Sequence, residues 1–301
     1  MTNIIMTGGT SGLGLETAKK LLSHKGVKLI LGYRSSGVED AINIPLDLTS
    51  LSHVKSFADK AISTLTNEKI DVLICNAAVN YPSNEHCTDD GIEMNFGVNH
   101  LAHFYLIQLL TPYLSQEAKV ILTTSGTIDP EKKTLAAPPR HANINWLAYP
   151  ENDETLIDDE IPKGLRAYAS SKICNLLTAM QINKMHNSLE GISYDPGVTP
   201  GTGLSRHAGE ELKALAKQLA DDEVRKAKFP ESNSVIDAGT TLADIALGKV
   251  KPPQGKYVAL RGGEIRFINP PGLAQDEMLS EKVWNETSAM LKNNLNLTTM
   301  N

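Results

Sequence analysis

Residues 7–14 read Thr-Gly-Gly-Thr-Ser-Gly-Leu-Gly, directly after the short apolar run 4–6 and at the start of a segment with helical spacing. A glycine in such a turn can adopt a positive φ, and one at the helix start lets backbone N–H groups approach a pyrophosphate without an intervening Cβ. The amino end of the helix adds a partial positive charge. The pattern predicts a loop that holds dinucleotide phosphates, whereas the alternative is a glycine-rich turn without a ligand. The residues assigned to the loop are Gly8, Thr10, Ser11, Gly12, Leu13 and Gly14.

Short apolar runs recur along the chain between longer stretches with helical spacing. The predicted strands are 3–6, 27–31, 71–75, 119–123, 191–194 and 255–260, and the predicted helices are 13–24, 52–65, 98–114 and 167–185. This alternation predicts one α/β domain over residues 1–301, with a Rossmann-type doubly wound parallel sheet and helices on both faces. Two regions break the rhythm: a Pro-rich insertion at 127–164, and a charged segment with a helix at 199–234, which we interpret as a substrate lid.

The composition narrows the class of protein and its compartment. A net charge of −6 argues against a nucleic-acid surface, because neutralising phosphates requires clustered Lys and Arg. The three cysteines and eight histidines show no metal-ligand spacing, so we expect neither a disulfide framework nor a metal site. No run approaches the ~18 apolar residues of a membrane helix, and the amino terminus lacks an export signal. We therefore expect a cytoplasmic protein without nucleic-acid or integral-membrane partners.

Further short motifs follow the predicted strands and lie on the predicted helices. They are Asp47-Leu48, Asn76-Ala77-Ala78, Asn99, Ser125, Tyr168-Ala169-Ser170-Ser171-Lys172 and Pro196-Gly197. Together with the glycine loop, whose spacing is Thr-Gly-x-x-x-Gly-x-Gly, they resemble the short-chain dehydrogenase/reductase family over roughly residues 3 to 205. A lone Tyr-x-x-x-Lys would be weak evidence, but seven motifs in the family's order are specific.

The resemblance implies a nicotinamide dinucleotide cofactor. It implies that Asp47 and Leu48 contact the adenine and that the turns after later strands line the rest of the cofactor. The implied cofactor-binding residues beyond the glycine loop are Asp47, Leu48, Asn76, Ala77, Ala78, Tyr168, Lys172, Pro196, Gly197, Val198 and Thr199.

The choice between NAD and NADP depends on the residues after the second strand. Family members that use NAD usually carry an acidic residue there, whereas this chain has Arg34 and Ser35, a planar cation followed by a hydrogen-bond donor. This composition favours the 2′-phosphate of NADP(H). The alternative is that Arg34 caps the strand end in solvent.

Tyr168 and Lys172 are four residues apart, so on a helix they project from the same face and can reach one ligand. A nearby ammonium and an oxidised nicotinamide favour the phenolate, so we expect the pKa of Tyr168 to lie below its ordinary value. In the reductive direction Tyr168 gives its proton while hydride reaches the substrate carbon. The resemblance implies that Ser125 bonds the substrate oxygen, a role that Thr127 could share, and that Asn99 helps to hold a water linking Lys172 to solvent.

Several stretches resemble the light-dependent protochlorophyllide reductase branch of the family. They are 75–79 around the Asn-Ala-Ala turn, 167–178 on the catalytic helix, 202–204 and 282–284. The chain departs from that branch at Val198, where the branch has an active-site cysteine, and across 205–232.

Three functions compete. The first is NADPH-dependent reduction of a carbonyl or activated double bond on a medium-to-large, apolar small molecule, and the second is light-dependent protochlorophyllide reduction. The third is a non-catalytic NADP-sensing regulatory protein, against which the retention of all four catalytic residues speaks. The mixed charge of 210–228 favours a lid or a subunit-facing helix, so a homo-oligomer is an open alternative.

Overall fold

Eight strands form one sheet in a computed structural model of the chain, which describes residues 1–132, 134, 137–155 and 161–298. The strands are β1 (Thr2–Thr7), β2 (Val27–Tyr33), β3 (Ile42–Pro45), β4 (Ile70–Cys75), β5 (Leu114–Thr123), β6 (Leu189–Asp195), β7 (Tyr257–Arg261) and β8 (Glu264–Ile268). Their order is β3-β2-β1-β4-β5-β6-β7-β8, with parallel pairing throughout except for the antiparallel pair β7 and β8. The predicted doubly wound, Rossmann-type sheet is confirmed.

Helices cover both faces of this sheet. They are α1 (Gly12–Leu22), α2 (Leu51–Leu65), α3 (Met94–Phe96), α4 (Ala102–Leu110), α5 (Ile144–Ala148), α6 (Lys163–Met185), α7 (Glu210–Gln218), α8 (Asp222–Lys228), α9 (Val235–Ala246) and α10 (Leu279–Thr298). Alternate residues of β1 point to opposite faces: Ile4 and Met6 pack with α1 and α9, whereas Ile5 packs with α2, α4 and α6. A parallel strand covered on both sides needs an apolar run, which is why the buried strands were recognisable.

Several predicted boundaries were wrong. The helix predicted at 98–114 begins as α3, passes through a π-helical turn at Gly97–Leu101 into α4, and stops where Pro112 forms a 3₁₀ turn before β5. The strand predicted at 255–260 begins later, because Gly255 has φ +76° in the preceding turn. Proline lacks the N–H that continues a helix, and a positive φ does not fit a strand.

Elements at the rim of the sheet were missed or merged. β3 has four residues and β8 is mostly exposed, so neither shows a buried apolar run. The single helix predicted in the lid segment 199–234 is two, because the Asp221 side chain accepts hydrogen bonds from the N–H groups of Glu223 and Val224 and starts α8. Within the predicted insertion 127–164, residues 133, 135, 136 and 156–160 lie outside the described part of the chain.

Candidate active site

The glycine loop joins β1 to α1 at the carboxyl edge of the sheet. Gly8 has φ +67° and Gly12 has φ +54°. A Cβ on Gly8 would lie 2.6 Å from the Ala77 backbone, and one on Gly14 would collide with the Gly8 carbonyl oxygen. Ser11 precedes α1 without a side-chain cap, so its hydroxyl does not occupy the first N–H groups of the helix. Positive φ at two glycines and N–H groups that no side chain caps are features that the predicted pyrophosphate loop requires.

Asn76 holds the turn after β4 against its neighbours. Its Nδ2 donates to the Gly8 carbonyl oxygen at 3.0 Å, and its Oδ1 accepts from Thr123 Oγ1 at 3.1 Å. These bonds tie together the carboxyl ends of β1, β4 and β5. The structure therefore brings the Asn76-Ala77-Ala78 turn beside the glycine loop.

Tyr168 and Lys172 lie buried on α6, beside the residues that end β5 and follow it. Ser125 lies near enough to the Tyr168 hydroxyl to lower the pKa of that hydroxyl. Lys172 Nζ donates to the Thr123 carbonyl oxygen at 3.2 Å and lies 5.6 Å from the centroid of the Tyr168 ring. The three predicted catalytic side chains thus share one corner of the cleft.

The ionisation of this corner differs from the prediction of a lowered tyrosine pKa. Burial raises the pKa of Tyr168 well above its ordinary value, Asp195 acts in the same direction, and Ser125 opposes both. The protein alone keeps Tyr168 protonated, as a proton donor needs.

Burial lowers the pKa of Lys172 to about 7, and the Asp195 carboxylate opposes this shift. Sequence reasoning missed Asp195 and its partner Arg261, which form a buried ion pair between β6 and β7. The only available signal was the position of Asp195 immediately before Pro196. Its pairing partner comes from a strand 66 residues later.

Asn99 lies in the π-helical turn and is fully buried. Its Oδ1 accepts from the Val79 N–H at 2.8 Å, while its Nδ2 donates to the Val79 carbonyl at 3.0 Å and to Ser171 Oγ at 3.1 Å. The side chain is fully used in fastening the β4 turn to α6. The backbone carbonyl oxygen of Asn99 also has partners, because it lies 3.0 Å from His103 Nδ1 and accepts from Asn175 Nδ2 at 3.1 Å. The part of Asn99 in holding a water stays a prediction.

The turn after β6 carries the remaining predicted nicotinamide contacts. Gly197 has φ +67°, and Thr199 Oγ1 donates to the Pro196 carbonyl at 3.0 Å. Asn233, which the sequence did not single out, donates to that same carbonyl at 2.8 Å and to the Leu260 carbonyl at 2.9 Å. Val198 is 59% exposed at the mouth of the cleft.

The predicted adenosine contacts lie at the ends of β2 and β3. Arg34 and Ser35 are exposed after β2. Asp47 accepts from the N–H and the hydroxyl of Thr49 at 3.0 and 2.8 Å, which organises the turn after β3. Leu48 is largely buried in the core.

The segment 199–234 reaches over the cleft. A Cβ on Gly12 would meet the Thr202 side chain at 3.3 Å, so this segment touches the glycine loop. The His207 ring stacks on Tyr81, with 3.9 Å between centroids. Burial, together with nearby cations that include Arg206, His86 and Arg34, lowers the pKa of His207. The segment 199–234 thus lies against the glycine loop and against Tyr81, and its role as a lid stays a prediction.

Within the described ranges, no helix has the length and apolarity to cross a membrane. The same residues bring together no group of three or more His, Cys, Asp or Glu side chains that could hold a metal ion.

The chain is similar in sequence to known proteins. The family model for short chain dehydrogenases matches residues 2–132. The chloroplastic protochlorophyllide reductase of Daucus carota is 34% identical over 94% of this chain and 76% of that protein. Protochlorophyllide reductase B of Hordeum vulgare is 35% identical, with the same two coverages of 94% and 76%. The chain belongs to the short-chain dehydrogenase/reductase family. The predicted resemblance to the family and to its protochlorophyllide reductase branch is confirmed, and the protein is an oxidoreductase of that family.

Solved structures agree on the fold. A 3-ketoacyl-(acyl-carrier-protein) reductase from Brucella melitensis, complexed with NADH, aligns with a TM-score of 0.59 at 16% identity, over 87% of this chain and 97% of that one. A short chain dehydrogenase from Burkholderia cenocepacia in complex with NADP aligns with a TM-score of 0.55 at 18% identity, over 90% of this chain and 95% of that one. At these identities the likeness of this short-chain dehydrogenase/reductase to its neighbours concerns the fold alone.

Proposed function

We propose that this protein is an NADPH-dependent reductase of a carbonyl or activated double bond on a medium-to-large, apolar small molecule. The observation that carries the proposal is the burial of Tyr168 and Lys172 on one helix, with the Lys172 Nζ 5.6 Å from the centroid of the Tyr168 ring. The glycine cradle and the lid contacts support it, and exposed Val198 gives the mouth of the cleft an apolar wall. NADPH oxidation in a panel of ketones and enones tests it.

Each side chain has a distinct task in this scheme. When bound, the cofactor supplies the hydride. Tyr168 donates its phenolic proton to the developing negative charge on the substrate, and Ser125 hydrogen-bonds the substrate oxygen. Lys172 in its ammonium form stabilises the phenolate that Tyr168 leaves, and the Asp195 carboxylate favours that ammonium.

The preference for NADPH is proposed from Arg34 and Ser35, which are exposed at the end of β2 where a 2′-phosphate would lie. Arg34→Ala should narrow the difference in binding free energy between NADPH and NADH by about 1–3 kcal/mol, because a charge-assisted contact is lost. Fluorescence titration of both reduced cofactors measures it. Arg266→Ala, an exposed arginine on β8, is the control and should leave the difference unchanged. Equal affinities in the unmutated protein would contradict the preference.

The pH dependence of turnover should reflect Lys172. Burial lowers its pKa to about 7, so the proton leaves at lower pH than from a free lysine. Because the scheme needs the ammonium form, kcat/KM should be highest below about pH 7 and fall about tenfold per pH unit above it. Lys172→Met should remove the decline of kcat/KM above about pH 7, together with most of the rate. A profile that stays flat to strongly alkaline pH would exclude the assigned role.

Protochlorophyllide reduction is the second candidate. It is favoured by relatives of that name that are 34% and 35% identical across 94% of this chain. Val198 stands where that branch has its cysteine, so the present side chain supplies no thiol. Consumption of protochlorophyllide with NADPH under illumination, and not in the dark, would select this candidate.

The location and partners belong to the same proposal. A net charge of −6 supports a protein without a nucleic-acid partner, and the absence of metal-ligand spacing among its cysteines supports reduced thiols in the cytoplasm. We propose that residues 199–234 form the lid of a single domain spanning 1–301. A homo-oligomer is compatible with this proposal.

A further inference from the structure

A buried chain of hydrogen bonds connects helix α4 to the turn after β4. His103 is fully buried, with Nδ1 3.0 Å from the Asn99 carbonyl oxygen and Nε2 2.8 Å from Thr7 Oγ1. Thr7 Oγ1 in turn lies 3.1 Å from the Asn76 backbone nitrogen and 3.2 Å from that of Ala77. The proposed chemistry of the cleft does not use His103, although this residue lies directly behind the turn that follows β4.

The direction of each bond follows from the groups involved. A carbonyl oxygen can only accept, so His103 Nδ1 carries a proton toward Asn99. Burial lowers the pKa of His103 to about 4, so the ring is neutral near pH 7 and Nε2 holds a lone pair. The Thr7 hydroxyl must therefore donate to Nε2. Its own lone pairs are then free to accept from the two backbone N–H groups.

The amides held in this way position the glycine loop. The Asn76 side chain donates to the Gly8 carbonyl oxygen at 3.0 Å. The Ala77 backbone lies where a Cβ on Gly8 would be, at 2.6 Å. A shift of the turn would thus move Gly8, which lies at the start of the phosphate loop.

We propose that His103 is a positioning residue for the cofactor cleft: it fixes the Thr7 hydroxyl as a donor to Nε2, and so as an acceptor for Asn76 and Ala77. Without an acceptor at the place of Nε2, the Thr7 hydroxyl turns toward the Ile74 carbonyl oxygen, 3.5 Å away. The lone pairs of Thr7 Oγ1 then no longer point at the N–H groups of Asn76 and Ala77. The consequence for NADPH rests on the proposed function. The clamp on the turn is a property of the chain alone.

Three substitutions of His103 distinguish the roles of its two ring nitrogens. His103→Gln can place an acceptor oxygen where Nε2 was, His103→Asn reaches only the place of Nδ1, and His103→Phe keeps the ring volume with neither. Two quantities are measured: the NADPH dissociation constant, and the hydrogen-exchange rates of the Asn76 and Ala77 amides in the free protein. His103→Phe and His103→Asn should each raise the dissociation constant and the exchange rates by about tenfold or more. His103→Gln should keep both within about threefold of the values of the unmutated protein.

Thr287→Val is the control for the loss of a buried hydrogen bond between a histidine ring and a threonine hydroxyl. Thr287 Oγ1 donates to the Val283 carbonyl and contacts His100, on the α10 side of the molecule. The Thr287→Val substitution should lower the free energy of unfolding and leave the NADPH dissociation constant and the two amide exchange rates unchanged. Equal effects of Gln and Asn, or unchanged amide exchange in His103→Phe, would overturn the proposal. Exchange rates that follow the predicted order in a protein that binds no dinucleotide would uphold the clamp and refute the proposed function.

Discussion

Tyr168→Phe should lower turnover by about 10²- to 10⁴-fold while NADPH affinity stays nearly unchanged, which is the usual effect of losing a positioned acid. The substitution keeps the buried ring and removes only the hydroxyl near Ser125. Because burial raises the pKa of Tyr168, this hydroxyl keeps its proton near pH 7 until it is donated to the substrate. Single-turnover rates and cofactor titration on the same protein separate the two effects.

Tyr194→Phe is the control for this experiment. Tyr194 is also a buried tyrosine, but its hydroxyl donates to the Ala238 carbonyl at 2.9 Å, in the core shared with α1 and α9. Loss of this hydrogen bond should lower the free energy of unfolding by about 0.5–1.5 kcal/mol and should leave turnover nearly unchanged. If Tyr168→Phe kept most of its turnover, Ser125, Thr127 or a bound water would have to be the proton source.

Gly12→Val should weaken NADPH binding by more than about 100-fold. Gly12 has φ +54°, a conformation that a β-branched residue adopts only under strain, and its Cβ would already lie 3.3 Å from Thr202. The added methyl groups would also stand in the path of the pyrophosphate. Fluorescence titration with NADPH measures the loss, and urea unfolding shows whether the variant is folded.

Gly26→Val separates backbone strain from the loss of the binding site. Gly26 has φ +84°, and no heavy atom lies within 4 Å of the place of its Cβ. It lies in the turn before β2, at the opposite edge of the sheet from the glycine loop. Both variants should lose stability, but only Gly12→Val should lose affinity. A folded Gly12→Val protein with normal NADPH affinity would mean that the loop has another role.

The features that were predictable from the sequence are local ones. The glycine loop, Asn76 and Tyr168 with Lys172 are recognisable because each depends on spacing within a few residues or on a position directly after a buried strand. The central strands were found because burial on both faces requires continuous apolar runs. β8 was missed because its exposed face imposes no such run.

The features that could not be predicted depend on contacts made only after folding. Asp195 and Arg261 are 66 residues apart and meet because β6 and β7 are neighbours. His103 and Thr7 are separated by 96 residues. The raised pKa of Tyr168 follows first from its burial, which residue spacing does not reveal.

Isotope transfer is the most direct test of hydride transfer from NADPH with a proton from Tyr168. The protein is mixed with NADPH that carries deuterium at the transferred position, together with a ketone and enone panel, in the dark. The expected result is NADPH oxidation and a product with one deuterium at the reduced carbon, lost in Tyr168→Phe. Tight NADPH binding without oxidation of the cofactor by any substrate, in the dark or under illumination with protochlorophyllide, would contradict the claim and indicate a dinucleotide-sensing protein.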